Sequence, residues 1–331
     1  MRVLLTGATG FIGKAIAAEL EDGEFDVIPV GGPLSPRLSV GSPSVTCDVS
    51  SRESVMNLTS IGKVDAVVHA AGLAHRFNAG NSFDFARVNI EGVRNVAELT
   101  AKMGAAHLVL LSSVLVYGDA GINPSVEITE DFPCVPKGVY GKSKLGGENV
   151  AREVCEQNSL SLTILRLVPT IGEGSKGNFA KLVRAIDRRM FVWVGRGGNR
   201  KSMIYVRDVA RAVKTVLINK GSAVEIFNLA APASSMKNIV EEVARTTGRR
   251  IPRFVIPQAP LLKLLRSMVR LALSKRLAVI SDTLEKWCSD EVYSAQKIEC
   301  CYGFKTSTTV LEAVRLDVNA YLQNVGSRTN N

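Results

Sequence analysis

The chain has 331 residues, a formal charge of +10, 46% hydrophobic and 22% charged residues, a composition that fits a folded enzyme and excludes a disordered or fibrous chain. No stretch is long and uncharged enough to span a bilayer, and neither a CxxC pair nor a secretory leader accompanies the six cysteines, so reduced thiols in the cytoplasm are expected. His69, His75 and His107 form no cluster with cysteines or acids, so no metal is expected, while the excess positive charge suits an acidic ligand, a nucleic acid or an anionic membrane.

Arg2–Thr6 reads as a buried strand, and Phe11–Leu20 follows with helical spacing. Asp26–Val30, Ser44–Cys47 and Asp65–His69 read as strands two to four. Phe83–Met103 reads as one long helix, His107–Leu111 as strand five, Val139–Gln157 as a helix and Leu162–Leu165 as strand six. Such alternation predicts an α/β fold: a Rossmann-type doubly wound parallel sheet built from right-handed βαβ units. The rhythm breaks at Pro169. Glycine-rich turns at Gly172–Gly177 and Gly195–Gly198 and a strand at Glu225–Leu229 point to a smaller C-terminal substrate lobe. The expected division is 1–168 for the dinucleotide-binding domain with 203–229 returning to it, 169–202 and 230–325 for the lobe, and 326–331 as a frayed tail.

Three stretches carry chemistry. TGATGFIG places Gly7, Gly10 and Gly13, with Phe11 and Ile12, between a strand and a helix, where backbone N–H groups and the helix N-terminus suit a phosphate. The spacing is GxxGxxG, and a glycine-rich turn without a ligand remains its plain alternative. YGKSK sets Tyr140 and Lys144 four apart on one helix face. An ammonium beside a phenol lowers the Tyr pKa from about 10 and fits it for proton transfer to or from a carbonyl or alcohol oxygen. LLSSVLVYG ends strand five, and ligands of open parallel sheets bind at the carboxyl ends of strands, which places Ser113 to hydrogen-bond a substrate oxygen, with a helix cap or turn serine as its plain alternative. Small residues in HAAGLA, Ala70, Ala71 and Gly72 among them, let a flat cofactor lie close. Asn89 is a polar residue in an amphipathic helix, with a solvent-facing role as its alternative.

Together TGATGFIG, the Asp48-Val49 pair, HAAG, VNIEG, SSVLVYG and YGKSK resemble, in order and spacing, the extended short-chain dehydrogenase/reductases, in the NAD(P)-dependent epimerase/dehydratase branch that acts on nucleotide sugars. The resemblance implies glycines on the cofactor pyrophosphate, Asp48 at the adenine, Ser113 orienting substrate, Tyr140 as acid/base, and Lys144 tuning that Tyr and holding the nicotinamide ribose. Hydride chemistry belongs to the nicotinamide. It also implies a homodimer, and a substrate nucleotide met by the KGNF segment through Asn178. A cation on the diphosphate falls on Lys201, with Arg200 beside it.

Departures from the family pattern refine the reading. After strand two the sequence runs GGPLSPR. No acid is present to hold the ribose 2′-hydroxyl of NAD, while Arg37 could meet the 2′-phosphate of NADP, so the lean is to NADP over NAD. Dehydratases carry Asp-Glu after the catalytic Ser/Thr. Val114 and Leu115 stand there instead, which excludes that activity. The expected function is an oxidoreductase or isomerase acting on a nucleoside-diphosphate sugar, most simply a 4-keto reductase of a UDP- or dTDP-deoxysugar, with a 4-epimerase as the alternative. A small-carbonyl reductase and a catalytically silent NADP-binding scaffold are further alternatives. Nucleic-acid binding is not expected, because no aromatic-basic module accompanies the charge. Ala259–Ile280, apolar with interspersed Lys263, Arg266, Arg270, Lys275 and Arg276, reads as lobe helices with a charged outer face; its rival reading is peripheral membrane contact.

Overall fold

In the computed structural model, seven parallel strands run in the order 3-2-1-4-5-6 with a last strand outside the sixth. The structure describes all residues except 22–23, 34–44, 75–81, 119–126, 220, 222–223, 271–283 and 330–331. The strands are β1 Arg2–Thr6, β2 Asp26–Gly31, β3 Val45–Thr46, β4 Ala66–His69, β5 His107–Ser113 and β6 Ser161–Leu167, with Val224–Leu229 pairing on β6. Strands β1, β4, β5 and β6 are nearly continuous apolar runs, because helices cover both faces of the sheet. One face buries Val3, Leu5, Val68 and Leu165 under α1 (Phe11–Leu20) and the helix Val206–Ile218. The other buries Leu4, Val67, Leu108 and Ile164 under the helices Gly92–Lys102 and Val139–Gln157. A separate core of Phe179, Val183, Ile239, Val243 and Val314 joins the helices Asn178–Asp187, Met236–Thr247 and Val310–Thr329.

Strand order reverses between β1, which continues to β2 and β3, and β4, which continues to β5 and β6. A crevice opens at such a point, outside the carboxyl ends of the strands.

One expectation is corrected. Phe83–Met103 is not one regular helix: an α-turn at Ser82–Ala86 passes into a π-helical turn at Arg87–Glu91 before Gly92–Lys102 resumes. The widened turn brings the Asn89 carbonyl against the helix Val139–Gln157, where a Cβ on Gly147 would lie 2.3 Å from it. The last helix spans Val310–Thr329. Its first half is anchored by buried Val310, Val314 and Val318, and once a helix is nucleated each added residue gains a bond.

Candidate active site

The crevice holds a cavity of about 200 Å³ lined by Gly7, Gly31, Gly32, Pro33, Asp48, Val49, Ala71 and Gly72, among others. Gly7 has a φ of +74°, and a Cβ there would lie 2.5 Å from Ala71 N. A Cβ on Gly13 would lie 2.0 Å from Gly7 O, so the helix sits directly on the turn. No side chain caps α1 at Gly10, and its first turn holds no acid. Its N-terminal dipole is therefore left for an anion. At one end Asp48 is held by Ser50, whose N–H and hydroxyl donate to Oδ1 at 3.0 and 2.7 Å. At the other, a Cβ on Gly72 would come 3.9 Å from Lys144 Nζ. The residues fit an elongated dinucleotide: a flat end at Asp48 and Val49, an anion site at Gly7–Gly13, and a far end at the Lys144 ammonium. Arg37 lies outside the described residues.

Ser113 is the last residue of β5, and Tyr140 is the second residue of the helix Val139–Gln157. The Ser113 side chain is near enough to act on the Tyr140 phenol, its Oγ accepts from Leu115 N at 3.2 Å, and the Tyr140 ring meets Phe85 edge-on at 6.2 Å. One turn on, Lys144 donates to Leu111 O at 2.6 Å. Asn89 is 2% exposed and not solvent-facing. Its amide accepts from Leu73 N and donates to Leu73 O and to Ser143 Oγ. It thereby ties the HAAGLA loop to the helix Val139–Gln157. Val114 is buried and Leu115 is 42% exposed, so hydrocarbon stands where a dehydratase needs its acids.

Electrostatics correct one expectation. Burial raises the Tyr140 phenol above its ordinary range, and the Ser113 bond offsets this only in part. The expected lowering by Lys144 is not seen, because that ammonium is turned to Leu111 O. Burial lowers Lys144 itself to about 8, opposed by Glu148. His69, fully buried, falls to about 3 and stays neutral, its Nδ1 on Thr6 Oγ1 at 2.7 Å.

The substrate-side residues divide. Asn178 stands exposed at the first turn of its helix, and no hydrogen bond ties it to Ser113, Tyr140 or Lys144 among the described residues. Lys201 departs from the expected free cation: it is 8% exposed, and its ammonium donates to Glu291 Oε2 at 2.9 Å and to Lys286 O. Arg200 beside it is exposed, its backbone N–H bonded to the Asp290 carboxylate.

Sequence reasoning missed a buried network behind the triad. Glu148, one further turn along from Lys144, accepts from Ser112 Oγ at 2.5 Å and from Arg166 Nε and Nη2 at 3.1 and 2.7 Å. Arg166 also donates to Tyr117 Oη, which donates to Asn228. The signals were there: an acid four residues after Lys144, and a lone Arg in the apolar strand SLTILRL. Glu148→Gln leaves two cations, Lys144 and Arg166, in the interior without a counter-charge. A loss of about 3–5 kcal/mol in urea unfolding is expected. The Lys144 charge, lost in the wild type as pH rises through about 8, should be lost at lower pH in the variant, read as a shift of the basic limb of kcat/KM. Because the folded pKa lies below the unfolded one, protonated Lys144 disfavours the folded state, and wild-type stability should rise with pH above about 8 until the unfolded lysine also titrates.

The sequence profile of the NAD dependent epimerase/dehydratase family matches residues 3–230. The chain belongs to this family. Among relatives of this chain, the N-acetyl-alpha-D-glucosaminyl-diphospho-ditrans,octacis-undecaprenol 4-epimerase of Escherichia coli O157:H7 is 31% identical over 318 residues, covering 94% of this chain and 92% of the relative. The UDP-glucose 4-epimerase of Bacillus subtilis is 24% identical, covering 76% and 84%. In fold, the chain is similar to the Thermotoga maritima UDP-glucose 4-epimerase with UDP-glucose, with a TM-score of 0.78, 20% identity, and coverage of 98% of this chain and 100% of the other. It is also similar to a Bordetella bronchiseptica enzyme in complex with NAD and UDP, with a TM-score of 0.75, 18% identity, and coverage of 97% and 94%.

Proposed function

We propose that this protein is an NAD(P)-dependent 4-epimerase of a sugar carried on a diphosphate, with Ser113, Tyr140 and Lys144 as its catalytic residues. The observation that carries the reading is the Tyr140 phenol, acted on by Ser113, one helical turn from buried Lys144, whose ammonium lies beside Gly72 in the wall of the crevice cavity. Bound there, the nicotinamide supplies a hydride acceptor and donor for C4. Tyr140 takes the proton of the 4-hydroxyl, relayed or steadied by Ser113, and returns it to the 4-keto oxygen. Lys144 favours the ionised phenol by its charge. Leu115 offers no base, so no proton leaves C5 and water is not expelled.

The epimerase is favoured over the 4-keto reductase because its chemistry is that of the E. coli and B. subtilis relatives. After β2 an acid is missing. That acid bears on the ribose 2′-oxygen, and an epimerase, with no net redox change, draws on no reducing pool. NADP over NAD remains our reading of Gly31-Gly32-Pro33 and Arg37. The sugar carrier is either UDP or a polyprenol, and the E. coli relative supports the second. Arg200 is the cation we assign to the diphosphate, in place of Lys201. Assay of UDP- and polyprenyl-diphosphate-linked N-acetylglucosamine side by side tests the reading: formation of the C4 epimer of either supports it, and turnover of neither overturns it.

A further inference from the structure

From Val243 to Ser281 the chain holds no acid and nine cations, all but one unit of its formal +10. The rest of the molecule is close to neutral, so the charge is not a general solvation device but the property of one segment. The described part of that segment is built as a surface. Val255–Ile256 pairs with Trp193–Val194, and Gly195 N donates to Ile256 O at 3.0 Å. This fixes the strand that displays Phe254, 71% exposed. The helix Gln258–Arg270 follows and buries Leu262 and Leu265 while leaving Leu264 58% exposed. Exposed Arg250, Arg253, Lys263 and Arg266 lie along the same segment. Arg266 is paired with Glu285 at 2.8 Å, but Arg250, Arg253 and Lys263 meet no acidic side chain among the described residues. Large apolar side chains held in the open beside unpaired cations are the composition of an interfacial surface.

We propose that this face, Arg250 to Arg270, docks the protein on an anionic bilayer surface, with Phe254 and Leu264 entering the interface and Arg250, Arg253 and Lys263 meeting lipid headgroups. Charge complementarity selects the occupant. A nucleic acid would use the cations but not the exposed Phe254 and Leu264 side by side with them, and a second copy of the chain would bring the same positive face to meet itself. The docking extends the proposed function by placing the sugar-diphosphate site at a membrane, and rests on that reading only for its purpose, not for its existence.

The test is flotation of the full chain with vesicles of phosphatidylcholine alone and of phosphatidylcholine with phosphatidylglycerol, at 0.1 M salt. Binding to the anionic vesicles only is expected, with release at 1 M salt, where screening shortens from about 10 to about 3 Å. Each cation near such a surface contributes about 1 kcal/mol, so the triple variant Arg250→Gln, Arg253→Gln, Lys263→Gln should bind about 100-fold more weakly. Phe254→Ser should weaken binding by about tenfold. Both variants carry only exposed substitutions, and wild-type Tm and cofactor affinity verify their fold. Failure of the wild type to float, equal flotation of the triple variant, or preferential binding of a DNA or RNA oligonucleotide over vesicles would overturn the proposal. Loss of flotation by self-association into a dimer through this face would do so too. None of these outcomes involves sugar turnover, so they leave the epimerase reading to its own assay.

Discussion

Tyr140→Phe is expected to lower kcat by about 10² to 10⁴-fold, the range that general acid–base catalysis supplies, while cofactor affinity stays near wild type. The substitution removes only the hydroxyl. The ring keeps its edge contact with Phe85 at 6.2 Å, and the helix keeps the Ser143 Oγ bond to Tyr140 O at 2.8 Å. Burial has already made the phenol a weaker acid, so its ionisation must be driven by charge brought to the site. Neutral Lys144 cannot help, which is why the wild-type rate should fall as that lysine deprotonates near pH 8. Turnover of the variant within a few-fold of wild type would remove Tyr140 from the mechanism.

Gly13→Ala should abolish measurable cofactor binding and destabilise the protein by about 1–3 kcal/mol or more, as overpacking does. The added Cβ would lie 2.0 Å from Gly7 O and 2.7 Å from Gly7 C. Both are backbone atoms, so no side-chain rotation relieves the contact, and α1 must move away from β1. The phosphate site made by the helix N-terminus and the turn is then lost. Titration with NADH and NADPH and urea unfolding check both parts. An alanine variant with normal affinity would show that the turn is not the cofactor site.

Much of this site was readable from the chain because its signals are local. Tyr140 and Lys144 share a face by helical spacing, and the helix Val139–Gln157 has the bounds expected of it. The buried strands His107–Ser113 and Ser161–Leu167 each ran two residues past their expected ends, since Ser112 and Ser113 pair with Arg166 and Leu167 and these pair on their other side with Asn228 and Leu229, which extends each strand beyond its apolar run. What was not readable depends on partners far along the sequence. Lys201 is taken up by Glu291, 90 residues away. The π-turn at Arg87–Glu91 answers to the approach of Gly147. The Tyr140 shift is set by burial and by which way the Lys144 ammonium turns, and neither is encoded in the YxxxK spacing.

The most direct measurement of the central claim follows N-acetylglucosamine carrying deuterium at C4, linked through diphosphate to UDP or to a polyprenol, with the purified protein and a trace of cofactor. An epimerase moves the label off C4 and returns it to the opposite face of the same carbon. The account therefore predicts a mixture of C4 epimers, deuterium retained at C4, and no net change in reduced cofactor. Stoichiometric oxidation of NADPH by a 4-keto sugar, with no epimer formed from either labelled substrate, would contradict it.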